Sequence, residues 1–434
     1  MRVLIDARKL GDGGIGVYIE SLIDGLLLLP PPIRPDLTLL VQPDAPEHHD
    51  CLLEWGDRIK LIPESSGKYS LSELIMLPMR QRDSIAGHDL FHSPHYTLPF
   101  LSPPFCPAIP SVVTVHDVIH LTHPETMVHR PIGKMMIGSA LRRANQIITV
   151  SEASQERING IFSEHAPLTV IHNALRKGIG LVSTTDVAAL KAARGLVRDY
   201  CLFVGSDRPH KGFRETIAAW VKLKEWSSAA GQRLPQLVAI GSRYSDAIKE
   251  EIQNCGLADD VIFAGEISVG ELNLFYNGAL AVVVPSHEEG FGFAALEGMA
   301  CGVPVVCSAI PSLREVGGDT VWYAPLVEAE SLFRTLIDLF ARRDDALDRA
   351  ERGIKRARLF SREEMAQKTN LVYRRVLGKA EDDTMSLKRK AFYLFPEAAR
   401  KGGINWNAEV SGQPAIDFPV SEHAGLGAAG SRAG

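Results

Sequence analysis

The chain has 434 residues, of which 45% are hydrophobic, and is therefore long enough to form two packed domains. Its formal net charge of −5 argues against a nucleic-acid-binding protein, which would carry a basic excess. The six cysteines show neither a C-x-x-C pair nor a metal-ligand spacing, so we expect a reducing, cytoplasmic compartment. The chain enters a strand without a signal peptide, and its apolar runs are too short to span a bilayer, which predicts a soluble protein.

The first predicted strand, "RVLID", leads into a glycine-rich loop. Gly11, Gly13 and Gly16 match the letters G-x-G-x-x-G, but four residues separate the strand from Gly11. Asp44, the acidic residue after the next strand, lies further away than a dinucleotide fold requires for its ribose contact. The spacing therefore argues against an NAD site. The loop still opens a predicted helix, "GVYIESLIDGLLLL", whose free N–H groups can bind an anion.

Strand-like runs alternate with helical patterns in two series, which is typical of parallel sheets with crossover helices. The first series consists of "RVLID", "LTLLV", "RIKLI", "DLFHS", "SVVTVHD", "QIITVS" and "LTVIHN". The second series consists of "YCLFVGS", "QLVAIGS", "VIFAG", "LAVVVPS", "VPVVCS" and "TVWYAP". The predicted fold class is therefore α/β, with two Rossmann-like parallel-sheet domains that face one another across a cleft.

The change between the two series sets the predicted domain boundaries. The expected order is a domain over residues 1–180, a linker over 181–199, a second domain over 200–360, a helix over 361–380 and an extension over 381–434. Ser361 and Glu364 form a capping box at the start of that helix. The extension becomes rich in Gly, Ala and Ser, which predicts a mobile tail. Its aromatic stretch "LKRKAFYLF" could dock onto the protein or contact a membrane surface.

Three histidines, His116, His120 and His123, lie close together in "VHDVIHLTHPE". An H-x3-H spacing suits zinc when both rings project from one face of a helix. Here the strand "SVVTV" runs into His116 and Pro124 predicts a loop, so we expect no metal site. A loop histidine at the carboxyl end of a strand is better interpreted as a substrate contact.

The stretch "PSHEEGFGFAALEGMACGVPVV" predicts a strand, a glycine loop and a helix that starts near Gly292. Gly290 and Gly292 let a ligand approach the backbone, and the helix start attracts phosphate. Glu289 and Glu297 could accept hydrogen bonds from two hydroxyl-bearing parts of one ligand. The alternative is that both are ordinary acidic residues at a helix N-terminus.

A basic turn follows the first strand of the second series, in "CLFVGSDRPHKGFRE". Arg208, His210 and Lys211 precede a predicted helix, where cations are unfavourable for the helix dipole. An anion held jointly by the helix end and the side chains would explain them; a solvated basic turn is the alternative. Together with the glycine loop, this turn describes a clamp for a nucleotide-sugar diphosphate. The chain contains no Asp-x-Asp, so a metal-bridged diphosphate is not indicated.

In order along residues 1–380, these motifs resemble those of the retaining glycosyltransferases of family 4. The likeness rests on "IDARKLGDGGIGVY", "HSPHYTLP", "TVHDVIHLTHPE", "TVSEASQERI", "FVGSDRPHKGF", "EEGFGFAALEGMACGVPVV", "IPSLREVGGD" and "FSREEMAQKTNLVYRRVLG". It implies the two-domain GT-B fold, with the C-terminal helix crossing back to the N-terminal domain. The motifs look most like those of bacterial mannosyltransferases of polysaccharide synthesis.

That resemblance implies the transfer of a hexose, with its α configuration retained, from a nucleotide sugar to a glycan or lipid-linked acceptor. The donor substrate implied is GDP-mannose, with no cofactor and no metal ion. The enzyme is expected in the cytoplasm, with peripheral contact at the inner face of the membrane. Alternatives within the fold are a sugar-nucleotide epimerase, a phosphorylase and a non-catalytic GT-B subunit; the intact clamp favours an active transferase.

The resemblance also implies roles for individual residues of the second domain. Lys211 with Arg208 would neutralise the donor diphosphate. Glu297 would hold the ribose hydroxyls, and Glu289 would contact the donor sugar. The donor cradle would be completed by the backbone of Gly290, Phe291 and Gly292.

Further implied contacts lie outside the clamp. Gly14 and Gly16 would approach the diphosphate from the first domain when the cleft closes, and His116 would touch the donor sugar near the reacting centre. Glu266 and Ile267 in "AGEIS" fall where the family binds the base. The implied catalytic residues are His116, Lys211 and Glu289.

Two departures from the family pattern are visible. The basic motif commonly reads Arg-Lys-Asn, whereas this chain has His210, Lys211 and Gly212. Arg362 stands where the closing motif usually has an aromatic residue, next to Glu363.

Overall fold

The computed structural model describes residues 1–45, 49–123, 129–241 and 244–379. The chain forms two compact units, Met1–Leu377 and Gly378–Gly434. The first unit contains every helix and strand given below. The predicted extension over 381–434, with its aromatic stretch, lies outside the described residues, as does Pro124. Among the helices of the described part, none is both long enough and apolar enough to cross a membrane.

Two parallel sheets organise the fold, and each predicted strand run overlaps one of their strands. The first sheet has the spatial order β3-β2-β1-β4-β5-β6-β7. Its strands are β1 Arg2–Asp6, β2 Asp36–Val41, β3 Ile59–Pro63, β4 Leu90–Ser93, β5 Ser111–Val115, β6 Gln146–Thr149 and β7 Leu168–Val170. The second sheet has the order β10-β9-β8-β11-β12-β13. Its strands are β8 Tyr200–Val204, β9 Gln236–Ile240, β10 Val261–Gly265, β11 Ala281–Val284, β12 Val305–Ser308 and β13 Trp322–Ala324.

Helices connect these strands, as parallel pairing requires. Those in and after the first sheet are α1 Gly13–Leu28, α2 Asp50–Trp55, α3 Leu77–Arg80, α4 Arg82–Ala86, α5 Ile119–Thr122, α6 His129–Arg143, α7 Glu152–Ile161 and α8 Thr184–Ala193. Those of the second half are α9 Phe213–Ala229, α10 Asp246–Asn254, α11 Val269–Gly278, α12 Phe293–Ala300, α13 Pro311–Gly317, α14 Ala329–Ala341, α15 Arg343–Ala357 and α16 Arg362–Val376. A short π-helix, Ser72–Met76, precedes α3.

Buried apolar side chains join the two sheets. The largest cluster includes Ile5 and Leu39 of the first sheet together with Val282 and Phe291 of the second half, all buried. The strands are almost continuously apolar because helices cover both faces of each sheet. The prediction of an α/β fold with two parallel sheets is confirmed.

Residues 181–199, where the sequence predicts a linker, contain helix α8, which packs against α11. Ser183 caps this helix by accepting a hydrogen bond from the Asp186 N–H. Leu190 is its one buried residue, so the helix has too little apolar periodicity to stand out in the sequence.

The C-terminal helix α16 packs against α1 of the first domain. Ser361 accepts the backbone N–H of Glu364 at 3.1 Å, which is the predicted cap. A side chain at Gly25 would overlap the carbonyl oxygen of Arg362, so this glycine permits the close approach of the two helices. The Arg362 guanidinium donates to Asp24 Oδ2 at 2.8 Å, which gives the unusual arginine of the closing motif a partner on α1.

Candidate functional site

The sequence motifs converge where the strand order of each sheet reverses. In the second sheet the reversal lies between β8 and β11. Strand β8 leads into the basic turn, and β11 leads into residues 285–292, which we call the carboxylate loop because they include Glu288 and Glu289. In the first sheet it lies between β1 and β4, which lead into the glycine-rich loop and the segment around Pro94. In open α/β sheets, ligands bind outside the carboxyl ends of strands at such reversals.

The centre of the second-sheet site is an ion pair. Lys211 Nζ lies 2.8 Å and 3.0 Å from the two carboxylate oxygens of Glu289, and Ser286 Oγ donates to Glu289 Oε1 at 2.7 Å. Burial raises the pKa of Glu289, but the Lys211 charge and these hydrogen bonds outweigh it and hold the pKa below its ordinary value. The Lys211 and Glu289 side chains remain 27% and 13% exposed, so a ligand entering the cleft can reach them.

The departure at Gly212 has a geometric cause. Its φ is +68°, and a Cβ there would overlap the carbonyl oxygen of Pro285 at the end of β11. Asparagine tolerates the left-handed conformation but not this contact, so in this chain the position requires glycine. The His287 N–H donates to His210 O at 2.8 Å and ties the basic turn to the carboxylate loop.

Two helix N-termini flank the ion pair. Helix α9 begins directly after Gly212, and α12 begins after Gly292, whose φ is +112°. Their first N–H groups have no partner within the helix and suit an anion. Gly290 and Phe291 are buried in the loop that leads into α12, and Arg208 is exposed in the basic turn.

The glycines of the first-domain loop have different tasks. A Cβ at Gly14 would lie 3.7 Å from the Phe293 ring, so the start of α1 faces the start of α12 across the cleft. A Cβ at Gly16 would lie 2.6 Å from the backbone nitrogen of Gly11, so this glycine lets the loop fold onto itself. Gly14 therefore borders the site directly. Gly16 acts indirectly, because it lets the glycine-rich loop adopt its fold.

Glu297 is buried in α12 rather than open to the cleft, with 1% of its surface exposed. Arg176 Nε donates to its Oε1 at 2.9 Å, and the Tyr276 hydroxyl donates to its Oε2 at 2.8 Å. Burial raises the pKa of Glu297 above its ordinary value, although Arg176 and Tyr276 oppose the shift. Sequence reasoning missed both partners because neither belongs to a recognisable motif.

His116 follows β5 and reaches the same cleft. Its Nε2 donates to Pro94 O at 2.9 Å, and its ring meets that of Tyr18 edge-on at 4.7 Å. Burial lowers the pKa of His116, so the ring is neutral near pH 7 and its Nδ1 is a hydrogen-bond acceptor. A Cβ at Gly290 would lie 2.9 Å from His116 O, so the two loops are in contact.

The neighbouring histidines have separate partners. The His120 ring stacks on Tyr96 with centroids 4.9 Å apart, and His123 Nδ1 lies 3.0 Å from Glu288 Oε2.

Glu266 and Ile267 follow β10 at the carboxyl edge of the second sheet, with Glu266 exposed and Ile267 half-buried. The structure thus places these two on the outer strand of that edge, away from the central ion pair in strand order.

The segment "TVSEASQERI" contacts the carboxylate loop across the cleft. Ser151 and Ser154 both donate to Gly290 O, at 2.6 Å and 3.1 Å. Arg157 pairs with Glu288, which also accepts from Thr122 Oγ1 at 2.7 Å. The three residues of this segment are spaced three apart, on or just before α7, so that they share one face.

A buried charged cluster lies at the carboxyl edge of the first sheet. Arg8 Nη2 donates to Asp6 Oδ2 at 2.6 Å and to Glu73 Oε1 at 2.8 Å, and His95 Nε2 lies 3.2 Å from Asp6 Oδ2. Burial alone would raise the pKa of Asp6, but Arg8 and His95 hold it well below the usual range. Asp6, Glu73 and His95 are close enough to bind a metal ion together, but the Arg8 guanidinium already pairs with both carboxylates.

Lys9 is also buried and lies 3.0 Å above the Tyr69 ring. Burial lowers the pKa of its ammonium to about 7, against the opposing charges of Glu73 and Asp6. Arg8 and Lys9 belong to the motif "IDARKLGDGGIGVY", but the sequence did not indicate which residues they contact.

Two family models match this chain. The model described as Glycosyltransferase Family 4 matches residues 13–176, and the model described as Glycosyl transferases group 1 matches residues 192–359. Together they cover more than half of the chain, one over each sheet.

Individual proteins agree with these models. The O-antigen chain mannosyltransferase RfbU of Salmonella typhimurium is 27% identical over 244 residues, which span 55% of this chain and 62% of that protein. The O-antigen chain mannosyltransferase B of Escherichia coli is 26% identical over 310 residues, or 69% of this chain and 78% of its own length. The structure of sucrose-phosphate synthase from Thermosynechococcus elongatus superposes with a TM-score of 0.70 at 22% identity, covering 87% of this chain and 98% of its own.

The solved structure agrees in fold, and the family models agree with the motifs in the sequence. The predicted GT-B architecture is confirmed, with one parallel sheet in each half and the closing helix α16 against α1. The chain belongs to the GT-B glycosyltransferases and resembles the bacterial mannosyltransferases among them.

Proposed function

We propose that this glycosyltransferase moves mannose from GDP-mannose to a hydroxyl group of a glycan or lipid-linked acceptor, with retention of the α configuration and without a metal ion. The observation that carries the proposal is the Lys211–Glu289 pair between two helix N-termini, opposite the glycine-rich loop. The relatives named as O-antigen chain mannosyltransferases support mannose and a polysaccharide acceptor. An acceptor carried by a lipid would place the protein at the inner face of the membrane.

The donor diphosphate is bound by the basic turn in this proposal. Lys211 and Arg208 supply positive charge, and the starts of α9 and α12 supply free N–H groups. A bound diphosphate competes with Glu289 for the Lys211 ammonium, which therefore lies between the phosphate and the carboxylate. Four cationic or dipolar groups then face the leaving group without a metal ion.

The nucleoside and the sugar occupy the two sides of this clamp. Ribose hydroxyls donate to Glu297 after the Arg176 guanidinium, which is 24% exposed, turns away from this buried carboxylate; the hydrogen bond from Tyr276 remains. Glu266 and Ile267 contact the base. On the sugar side, Glu289 accepts from a sugar hydroxyl, and the Nδ1 of neutral His116 accepts from another.

Transfer breaks the bond between the anomeric carbon and the phosphate oxygen and forms a bond to the acceptor oxygen on the same face. Negative charge grows on the diphosphate, where Lys211 and Arg208 stabilise it; such preorganised electrostatics is usually the largest catalytic contribution. Positive charge grows on the sugar ring, near the ionised Glu289. The departing phosphate takes the proton of the acceptor hydroxyl. Closure of Gly14 and Phe293 over the donor excludes water that would hydrolyse it.

The experiment is nucleotide release from GDP-, UDP- and ADP-sugars, measured with and without lipid-linked glycan acceptors. We expect release of GDP from GDP-mannose, stimulated by acceptor, and an α-linked product by NMR. Lys249→Ala, at an exposed lysine of α10, serves as the active control beside Lys211→Ala. A β-linked product, or turnover of another donor alone, would contradict the proposal, and an absence of turnover with every donor would favour a binding subunit.

A further inference from the structure

We infer that Glu315, on α13 of the second domain, is a positioning residue for glycosyl transfer: its carboxylate caps helix α7 of the first domain and so holds the two domains together around the donor site. We call this contact the interdomain cap. Its kinetic consequence rests on the proposed function. Its effect on the distance between the domains does not, and can be measured without turnover.

The start of α7 needs partners from outside the helix, because the first N–H groups of an α-helix have no acceptor within it. Ser151 Oγ accepts the Ser154 N–H at 3.0 Å. The N–H groups of Glu152 and Ala153 instead donate to Glu315, at 2.9 Å to Oε1 and 3.4 Å to Oε2. A carboxylate from the second domain therefore completes the cap of a first-domain helix.

Charge strengthens this contact. The Nε2 of His172, two residues beyond β7, donates to Glu315 Oε1 at 2.6 Å. Burial raises the pKa of Glu315, but the hydrogen bonds from His172 and from the Glu152 N–H outweigh it and hold the pKa below its ordinary value. An ionised carboxylate at a helix N-terminus is favoured by the helix dipole, and its hydrogen bonds are stronger than neutral ones. Among the described residues, each hydrogen-bond donor to this carboxylate belongs to the first domain.

Helix α13 connects the interdomain cap to the donor site. It packs against α12 as well as against α7. A Cβ at Gly292 would lie 2.5 Å from Leu313 Cδ2, so α13 lies directly against the glycine that begins α12. Arg356 of α15 donates to the carbonyl oxygens of Glu315 and Val316, at 2.7 Å and 2.6 Å, and so fixes the end of α13 within the second domain. Separation of α7 from Glu315 would therefore move the first domain away from the start of α12.

The interdomain cap also lies beside the segments where the chain crosses between the domains. His172 precedes the first crossing, and Phe360 precedes α16, which returns to the first domain. The Leu175 N–H donates to Phe360 O at 2.8 Å, and the His172 ring meets the Phe360 ring edge-on at 5.6 Å. The same His172 ring has its centroid 6.1 Å from that of Phe291 in the carboxylate loop. A cap at this position resists rotation of one domain against the other.

A local role in helix stability does not account for this arrangement. Ser183 caps α8 with a hydroxyl from the preceding residue of the same segment, and Ser361 caps α16 in the same way. Helix α7 already has such a local cap in Ser151. Glu315 thus adds bonds between the domains to a helix that is capped without them.

The kinetic consequence follows from the two-sided donor site. The donor contacts both domains in the proposed function, so the arrangement that binds it fully is the one with the domains together. When a binding-competent arrangement is only partly populated, the apparent dissociation constant rises by the inverse of that fraction. Loss of the interdomain cap should therefore raise the donor KM and change kcat less, because saturating donor restores the arrangement. Loss of Lys211, by contrast, should lower kcat.

The test compares Glu315→Ala with Ser183→Ala, which removes a helix cap that does not join the domains. Energy transfer between fluorophores at Cys255 and at Lys60→Cys, in a Cys51→Ser background of the full chain, reports the distance between the domains. Cys255 is exposed, whereas Cys106, Cys201, Cys301 and Cys307 are buried. Without donor, we expect Glu315→Ala to lengthen this distance and Ser183→Ala to leave it unchanged.

Initial rates with GDP-mannose supply the second readout. Glu315→Ala should raise the donor KM about 10- to 100-fold, the loss expected for hydrogen bonds to a charged group. Glu315→Gln keeps one acceptor oxygen without the charge and should give an intermediate KM. Ser183→Ala should keep the wild-type KM. Thermal unfolding checks that each variant is folded.

The outcomes separate this inference from the proposed function. A wild-type distance and a wild-type donor KM in Glu315→Ala would overturn the interdomain cap. Equal changes in Glu315→Ala and Ser183→Ala would also overturn it, since lost helix stability would then explain both. If GDP-mannose is turned over and Glu315→Ala changes neither readout, the proposed function stands alone. If no donor is turned over but Glu315→Ala separates the domains, the interdomain cap stands and the proposed function is wrong.

Discussion

The carboxyl edges of the two sheets share one topology and differ in electrostatics. At the first-sheet edge, Asp6, Arg8 and Glu73 are fully buried, and Arg8 pairs with both carboxylates. At the second-sheet edge, Lys211 and Glu289 also pair, but both keep part of their side chains in the cleft. Strand order places both groups at a ligand-binding position, and solvent access decides which of them can exchange a protein partner for a ligand.

The two edges therefore have different tasks. A buried charge without its partner is strongly unfavourable, so the first-sheet cluster acts as a rigid frame for the loop that carries Pro94 and, through Pro94 O, His116. The Lys211–Glu289 pair, whose side chains are 27% and 13% exposed, loses less when a diphosphate replaces Glu289 beside Lys211. Mutations at the two edges should accordingly separate into losses of stability and losses of turnover.

The largest effect is expected at the buried edge. Arg8→Met leaves Asp6 and Glu73 buried without their counter-charge, which typically destabilises a protein by about 3–5 kcal/mol. Calorimetry should show a Tm lowered by several degrees. Arg214→Met, at an exposed arginine paired with Glu251, should leave Tm nearly unchanged. Equal Tm values for the two variants would mean that the buried cluster is not a frame.

At the open edge we expect the opposite. Lys211→Ala removes a charge that stabilises the departing diphosphate more than the intact donor, so kcat should fall about 30- to 1,000-fold, or roughly 2–4 kcal/mol. Tm should change little, because the Lys211–Glu289 pair is partly solvated. Near-normal turnover would reduce the basic turn to a solvated surface feature.

The two carboxylates of the second domain differ in the same way, one buried and one open. Glu297→Gln should weaken binding of GDP about 10- to 100-fold, because a charge-assisted hydrogen bond to ribose is lost. Glu289→Gln should leave GDP affinity nearly unchanged and lower transfer, since its partner exists only in the donor sugar. Titration calorimetry with GDP and initial rates with the full donor make the comparison. Equal losses of GDP affinity in both variants would contradict the division.

A smaller effect is expected where the two domains meet. Glu288 is held by Arg157 across the cleft, so Arg157→Met and Glu288→Gln should be non-additive in kcat/KM. Contacting residues typically couple by about 0.5–3 kcal/mol. The exposed Arg334–Glu330 pair on α14 is the control and should show additive effects. Additive effects in both double-mutant cycles would mean that the contact between Arg157 on α7 and Glu288 does not position the carboxylate loop.

The smallest effect is expected from chelation. Protein cations and helix N-termini carry the diphosphate charge in the proposed site, so EDTA should leave the initial rate unchanged. Loss of activity that magnesium or manganese restores would show that the open edge needs a metal ion after all.

Much of the fold and of the site follows from local sequence. Apolar runs marked each strand, because buried parallel strands are hydrophobic along their whole length. Glycines marked the loops: Gly212 and Gly292 adopt positive φ values, which only short-range sterics need to specify. The order of strand, turn and helix was therefore enough to place Lys211, Glu289 and His116 at the carboxyl edges of their sheets.

Partners distant in sequence were decided by the tertiary structure alone. Arg176 lies 121 positions from Glu297, and Arg157 lies 131 positions from Glu288, yet each pair shares a hydrogen bond. Such pairs depend on how the two sheets are packed against each other, and no local periodicity encodes that packing. Burial is decided in the same way, and it makes Arg8 part of the frame while leaving Lys211 available to a ligand. Local sequence places these groups at the carboxyl edges, and the packing of the two sheets decides which of them remain open to a ligand.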